Sequence, residues 1–116
     1  SSSGTPIVDG ENIFFVTENG YFIILDKNTG EIISSSNILN ILKRKKQKTQ
    51  ISNFIMGSGK IYSVTLNGFL ITSSAITGKT ESYKKIKAMN PSGLIIVNNK
   101  LFILMDKSKI LGLSKI

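Results

Sequence analysis

Ile13-Phe14-Phe15-Val16-Thr17-Glu18-Asn19-Gly20-Tyr21-Phe22-Ile23 is restated as Ile61-Tyr62-Ser63-Val64-Thr65-Leu66-Asn67-Gly68-Phe69-Leu70-Ile71. The offset is 48 residues, and it also carries Thr29-Gly30-Glu31 onto Thr77-Gly78-Lys79. A fainter third copy, Lys100-Leu101-Phe102-Ile103-Leu104-Met105-Asp106-Lys107-Ser108-Lys109-Ile110-Leu111, follows the second at 40 residues, from Lys60 to Lys100. Self-similarity of this kind marks one supersecondary unit used repeatedly, each copy covering an apolar face of its neighbour.

The unit is made of strands. Ile13–Val16, Tyr21–Leu25, Ile61–Val64, Phe69–Ile71, Leu94–Val97 and Leu101–Met105 are continuous apolar runs. Strict alternation is mostly absent, which is the pattern of strands covered on both faces. Asn19-Gly20 and Asn67-Gly68 are strong hairpin signals and are expected to form two-residue type I′ turns, with φ > 0 at both residues. Lys107-Ser108 takes this place in the third copy. Asp26-Lys27-Asn28-Thr29-Gly30 and Ser74-Ala75-Ile76-Thr77-Gly78 close the next hairpin, and Asp9-Gly10, Ser58-Gly59 and Asn98-Asn99 precede the second strand of each unit. Four antiparallel strands at a period of about 40–50 residues make a β-propeller blade. The expected fold is all-β: about two and a half blades, at residues 5–36, 53–84 and 92–116, with an insert at 37–50 that is either an extended connection or a short amphipathic helix.

Composition narrows the chemistry. The 116 residues contain no cysteine and no histidine, which removes disulfides, thiolate sites, the commonest general base and the commonest transition-metal ligand. No apolar run is long enough to span a membrane as a helix. Ser1-Ser2-Ser3-Gly4 lacks the basic and apolar regions of an export signal. The formal charge is +8, but fourteen of the fifteen cations are Lys and only Arg44 offers the guanidinium fork that phosphate readers favour. The local cluster Lys43-Arg44-Lys45-Lys46-Gln47-Lys48 supplies much of the excess and carries no interleaved aromatic for base stacking, so nucleic acid is not an expected partner.

The repeat resembles that of the pyrroloquinoline-quinone (PQQ) dehydrogenase-like propellers. Thr5-Pro6-Ile7-Val8-Asp9-Gly10, Ile13–Thr17, Asn19-Gly20, Leu25-Asp26 and Thr29-Gly30-Glu31 follow their consensus, and Gly59-Lys60-Ile61-Tyr62, Asn67-Gly68 and Thr77-Gly78-Lys79 follow it again, with Ser73-Ser74 at the Leu-Asp place. The chain departs at the docking tryptophan, where Ser34 and Ser82 stand, so blade locking by an indole is absent. Within this superfamily the chain is most similar to the BamB family of outer-membrane assembly lipoproteins, on residues 59–68, Thr77-Gly78-Lys79 and the short last unit beginning Asn98-Asn99-Lys100. That resemblance implies a non-catalytic scaffold in the periplasm, matched by the C-terminal part of an eight-bladed parent whose lipid anchor lies outside this chain. It implies no bound cofactor. The alternatives are part of a PQQ-dependent dehydrogenase, and a ligand-sensing propeller.

Other motifs resolve into turns. Residues 73–80 nearly spell a phosphate loop, but Ser73 stands at the first glycine and Gly78 is in phase with the turn glycine Gly30. Asp26-Lys27-Asn28-Thr29-Gly30 resembles the start of a calcium loop, with the glycine one residue early and Asn37 at the closing glutamate. Asp9, Glu11, Glu18, Asp26, Glu31, Glu81 and Asp106 fall at turns and edges without catalytic spacing. No enzyme activity and no metal are expected. Asn19, Gly20, Asp26, Gly30, Asn67, Gly68 and Gly78 are assigned as structural turns. Lys43, Arg44, Lys45, Lys46 and Lys48 are assigned as a contact surface, anchored by Ile38, Leu39, Ile41 and Leu42, for an acidic protein partner, for the outer-membrane assembly complex, or for an anionic membrane. The open blade faces are expected to belong to a fragment of a longer propeller or to drive self-association.

Overall fold

In a computed structural model, residues 4–45, 48–87, 90–105 and 110–115 are described, with side chains omitted at 43–45 and 110–115. Each apolar run becomes a strand, as β-branched and aromatic residues favour a pleated surface. The strands are β1 Ile7–Asp9, β2 Asn12–Val16, β3 Tyr21–Asp26, β4 Ile32–Asn37, β5 Ile51–Gly57, β6 Lys60–Thr65, β7 Phe69–Ser74, β8 Thr80–Lys85, β9 Gly93–Val97, β10 Lys100–Leu104 and β11 Ile110–Lys115. They pair antiparallel, in chain order, as two four-stranded sheets, β1-β2-β3-β4 and β5-β6-β7-β8, and one three-stranded sheet, β9-β10-β11. These are propeller blades, stacked face to face with the first strands β5 and β9 of neighbouring sheets packed together.

Register decides which side chains meet across the stack. Phe14 pairs with Ile24, and Val16 with Phe22, so all four share the face turned to the second sheet. Ile61, Phe69, Ile71 and Phe54 meet them from the other side, and this layer is buried. The opposite face of the second sheet presents Tyr62, Val64 and Leu70 to Leu94, Leu101 and Ile103 of the third. Fully burying each such side chain is worth about 1.5–3 kcal/mol. Burial also holds the Tyr62 hydroxyl above its ordinary pKa, because the phenolate would lose its water. The middle sheet is therefore covered twice, and the unbroken runs of β6 and β7 are its signature.

The repeat extends to individual hydrogen bonds. Ile38 N–H donates to the Gly20 carbonyl and Ile86 N–H to that of Gly68, each at 2.8 Å; Lys27 N–H donates to Glu11 and Ala75 N–H to Gly59. Asp26 accepts from the amides of Asn28 and Thr29 through Oδ1, at 2.7 and 2.9 Å, and these bonds hold its carboxyl below the ordinary range. Ser74 Oγ performs the same service for Ile76 and Thr77, both at 3.1 Å. A hydroxyl thus replaces a carboxylate in one turn geometry. At the indole's place Ser34 packs against the neighbouring blade, where a Cβ on Gly78 would sit 2.2 Å from its Oγ, and two residues on Ser36 Oγ donates to the Gly78 carbonyl at 2.8 Å.

Two expectations are corrected. Asn19 and Asn67 are not in the left-handed region; only Gly20 (φ 98°) and Gly68 (φ 88°) are. Gly20 N–H donates to the Thr17 carbonyl and Thr17 N–H to that of Tyr21. The loop is therefore three residues, a type I turn over Glu18-Asn19 followed by a glycine bulge, and Leu66-Asn67-Gly68 repeats it. Two-residue turns with positive φ at both places occur instead at Ser58-Gly59 and Asn98-Asn99. The third copy's turn at Lys107-Ser108 lies outside the described residues. The second correction concerns the insert. Ile38–Lys45 is a 3-10 helix, and Ile38 and Leu42 are buried in the first core layer, with Leu39 and Ile41 packed against it. The apolar half of the insert belongs to the protein's own interior and is not an anchor for a partner.

Candidate functional site

Antiparallel order sorts the loops onto two ends of the stack. The turns after β2 and β6 lie at one end with both inter-sheet crossovers, residues 38–50 and 86–92; the Thr-Gly turns and the turns after β1, β5 and β9 lie at the other. Charge follows this division. Asp9, Glu11, Asp26, Glu31 and Glu81 are at the Thr-Gly end, balanced by Lys27, Lys60, Lys79, Lys100 and Lys115, and Lys60 forms an ion pair with Glu81. At the Asn-Gly end stand Lys43, Arg44, Lys45, Lys48, Lys85 and Lys87 against Glu18 alone among the described residues. Lys46 and Asp106 lie outside the described residues.

The 3-10 helix carries Lys43, Arg44 and Lys45 and packs against β8, which ends in Lys84-Lys85. The first crossover runs thirteen residues from Asn37 to Ile51, the second only seven from Lys85 to Gly93. The extra length thus grows on one rim, where added residues leave the stack undisturbed. Lys85 is partly occupied: its Nζ donates to the Asn67 carbonyl and lies 4.7 Å from the centroid of the Phe69 ring. Lys48 and Lys87 are exposed. Gathered cations repel one another, and an anionic surface relieves that repulsion over a range of about 8–10 Å at moderate salt.

Beside them the surface is indented. A cavity of about 460 Å³ is lined by Asn19, Leu39, Leu42, Lys48, Thr49 and Gln50. A second of about 330 Å³ is lined by Lys48, Thr49, Gln50, Leu66, Asn67 and Asn90. Residues 48–50 are a rib between the two, and the buried Thr49 Oγ1 has no hydrogen-bond partner among the described residues. The structure thus brings the basic segment together with the turn residues Asn19 and Asn67. Gly20 belongs to the same end, where a Cβ would strike Leu39 at 2.6 Å. Asp26, Gly30 and Gly78 lie at the opposite end and take no part.

Lys85, Lys87 and the rib are additions to the residues singled out from sequence. The signal was present: in a four-stranded blade the crossover must leave from the end that carries the second turn, so Lys84-Lys85-Ile86-Lys87 had to lie beside the insert.

A quinone cofactor would need charged groups on the strands lining the axis. β1, β5 and β9 carry Ile-Val-Asp, Ile-Ser-Asn-Phe-Ile-Met-Gly and Gly-Leu-Ile-Ile-Val, with Asp9 their one ionisable residue. This set does not fit a charged redox cofactor. Among the described residues no three of His, Cys, Asp and Glu gather as a metal site.

No protein-family profile matches the chain, and no curated protein matches it. Solved structures do. The computationally designed protein Ika4 superimposes with a TM-score of 0.70 at 10% identity, over 93% of this chain and 62% of Ika4. The WD40 β-propeller domain of Doa1 gives 0.65 at 13% identity, over 84% of this chain and 31% of that one. The quinohemoprotein alcohol dehydrogenase ADHIIG of Pseudomonas putida HK5 gives 0.63 at 22% identity, over 85% and 16%. The chain thus spans less than two thirds of each. At such identities the likeness is one of fold: these are β-propeller blades, of a kind found also in a WD40 domain and in quinohemoprotein alcohol dehydrogenases.

Proposed function

We propose that the chain is a non-catalytic propeller module that binds an acidic protein surface through its Asn-Gly end, as a BamB-like scaffold in outer-membrane β-barrel assembly. The observation that carries this reading is the sorting of charge: cations, an enlarged crossover and two adjoining cavities share one end, and five of the seven carboxylates share the other. The chemistry available there is ionic contact and hydrogen bonding; a general base or a nucleophile poised by a neighbour is not among the groups described. A periplasmic location follows from the same reading.

The test is titration of the protein with purified outer-membrane assembly complex. Replacing Lys43, Arg44, Lys45, Lys46 and Lys48 by Gln should leave folding within about 0.5 kcal/mol, since exposed substitutions rarely do more. It should weaken binding most at low salt, where screening is least. Anionic vesicles in place of the complex separate a membrane partner from a protein one. The likeness to a quinohemoprotein dehydrogenase keeps a second reading in view, and saturable quinone binding would replace the scaffold by it.

A further inference from the structure

Residues 48–50, the rib between the two cavities, are clamped from both sides. Ile51 N–H donates to the Glu18 carbonyl in the first Asn-Gly turn, and Leu66 N–H in the second donates to the Gln50 carbonyl, both at 2.9 Å. The Leu66 carbonyl accepts in turn from Asn90 N–H of the second crossover, at 2.8 Å. Backbone bonds thus tie four segments that are distant in sequence, and the cavity walls are set before anything enters them. A site formed in advance loses little freedom on binding. Blades added before or after these sheets would extend the stack sideways. Both cavities lie at the ends of the strands, so neither is a sheet face that a further blade covers.

Each cavity combines an apolar wall with a cation. Leu39 and Leu42 line the larger, Leu66 lines the smaller, and Lys48 lines both. Thr49 also lines both, and its Oγ1 is buried with no hydrogen-bond partner among the described residues. An unpaired buried hydroxyl is costly, and a carboxylate accepting from it removes that cost. Cations outnumber the single described carboxylate of this end, Glu18, so charge complementarity selects an acidic occupant. The leucine walls select an apolar group beside the acid. We infer that the two cavities receive one extended segment of a protein partner, an apolar side chain seated against Leu39 and Leu42 and a carboxylate held by Lys48 and the Thr49 hydroxyl. Side chains two apart on an extended segment share a face, so one enters each cavity while the backbone crosses the rib. This inference rests on the acidic-protein reading for its source and adds the element that is recognised.

The test is titration of the whole chain with a short, end-capped peptide of alternating Asp and Leu, followed by amide NMR. Saturable shifts are expected at Lys48, Thr49, Gln50, Asn67 and Asn90. Peptides with Asn for Asp, or Ser for Leu, should each bind about tenfold more weakly. Lys48→Gln should weaken the parent peptide about tenfold at low salt and less at high salt. Thr49→Val keeps the shape and removes the hydroxyl. It should also weaken binding about tenfold, with the unfolding midpoint unchanged or raised, because the lost group had no partner. Shifts confined to other residues overturn the inference, as does binding that neither substitution alters. A Thr49→Val protein that is less stable overturns it too, since the hydroxyl is then already paired. Hexanoate binding as tightly as the peptide replaces the segment by a free carboxylic acid. Peptide binding by a protein that ignores the outer-membrane assembly complex removes that partner and keeps the cavities. Complex binding that survives both single substitutions keeps the basic end and removes the cavities.

Discussion

Gly30 and Gly78 hold the same place in the first and second sheets, at φ of 75° and 76°, and share their hydrogen bonds, yet their surroundings differ. A Cβ on Gly30 would meet nothing within 4 Å, while one on Gly78 would meet Ser34 of the neighbouring sheet at once. Ile23 and Ile71 differ in the same way: half-buried in the first sheet, wholly buried in the second. Identical local sequence builds an identical blade; the neighbour decides what each position is worth. A repeat protein of this type stores its stability between units as much as within them.

The largest effect that can break this comparison is at the isoleucines. Ile71→Ala should cost about 2–5 kcal/mol by denaturant unfolding, at any protein concentration. Ile23→Ala should cost well under that, because its side chain is only half-buried. Equal costs would mean that the first sheet is already covered.

The glycines come next. Ala at either place carries the left-handed penalty of about 1–2 kcal/mol. Gly78→Ala should exceed Gly30→Ala by about a further 1–2 kcal/mol, because the methyl presses on Ser34. Adding Ser34→Gly should recover part of that excess. An excess that Ser34→Gly leaves untouched would place the strain elsewhere.

The smallest effect separates the two Thr-Gly turns. Asp26 has its pKa lowered in the folded state by the amides it accepts from, so the stabilisation is present above the unfolded value and is lost as pH falls through the folded one. Below about pH 4 the exchange protection of the Asn28 and Thr29 amides should drop. The Ile76 and Thr77 amides, held by the Ser74 hydroxyl, should be unchanged across the same window. Parallel loss in both turns would mean general acid unfolding.

Much of this fold was legible because strand runs and turn glycines recur in phase, and the doubly apolar runs announced sheets covered on both faces. The Asn19-Gly20 turn was misread because a dipeptide does not fix loop length: pairing of Val16 with Phe22 leaves room for one more residue in the loop than a two-residue turn holds. The insert was half legible. Its cations were plain, but Ile38 and Leu42 looked available only because their burial depends on packing that a linear sequence does not display. The sorting of acids from bases emerged only from topology, since Glu81 and Lys85 belong to one strand and lie toward opposite ends of the stack.

One titration compares the two charged ends directly. Binding of the outer-membrane assembly complex is measured at low and moderate salt for the parent, for the variant with Lys43, Arg44, Lys45, Lys46 and Lys48 changed to Gln, and for one with Lys27, Lys60, Lys79 and Lys100 changed to Gln. The prediction is a loss of affinity, and of its salt dependence, in the first variant, with the second close to the parent. Equal affinity in all three proteins at every salt concentration, or a greater loss in the second variant, would contradict the assignment of the Asn-Gly end as the binding surface.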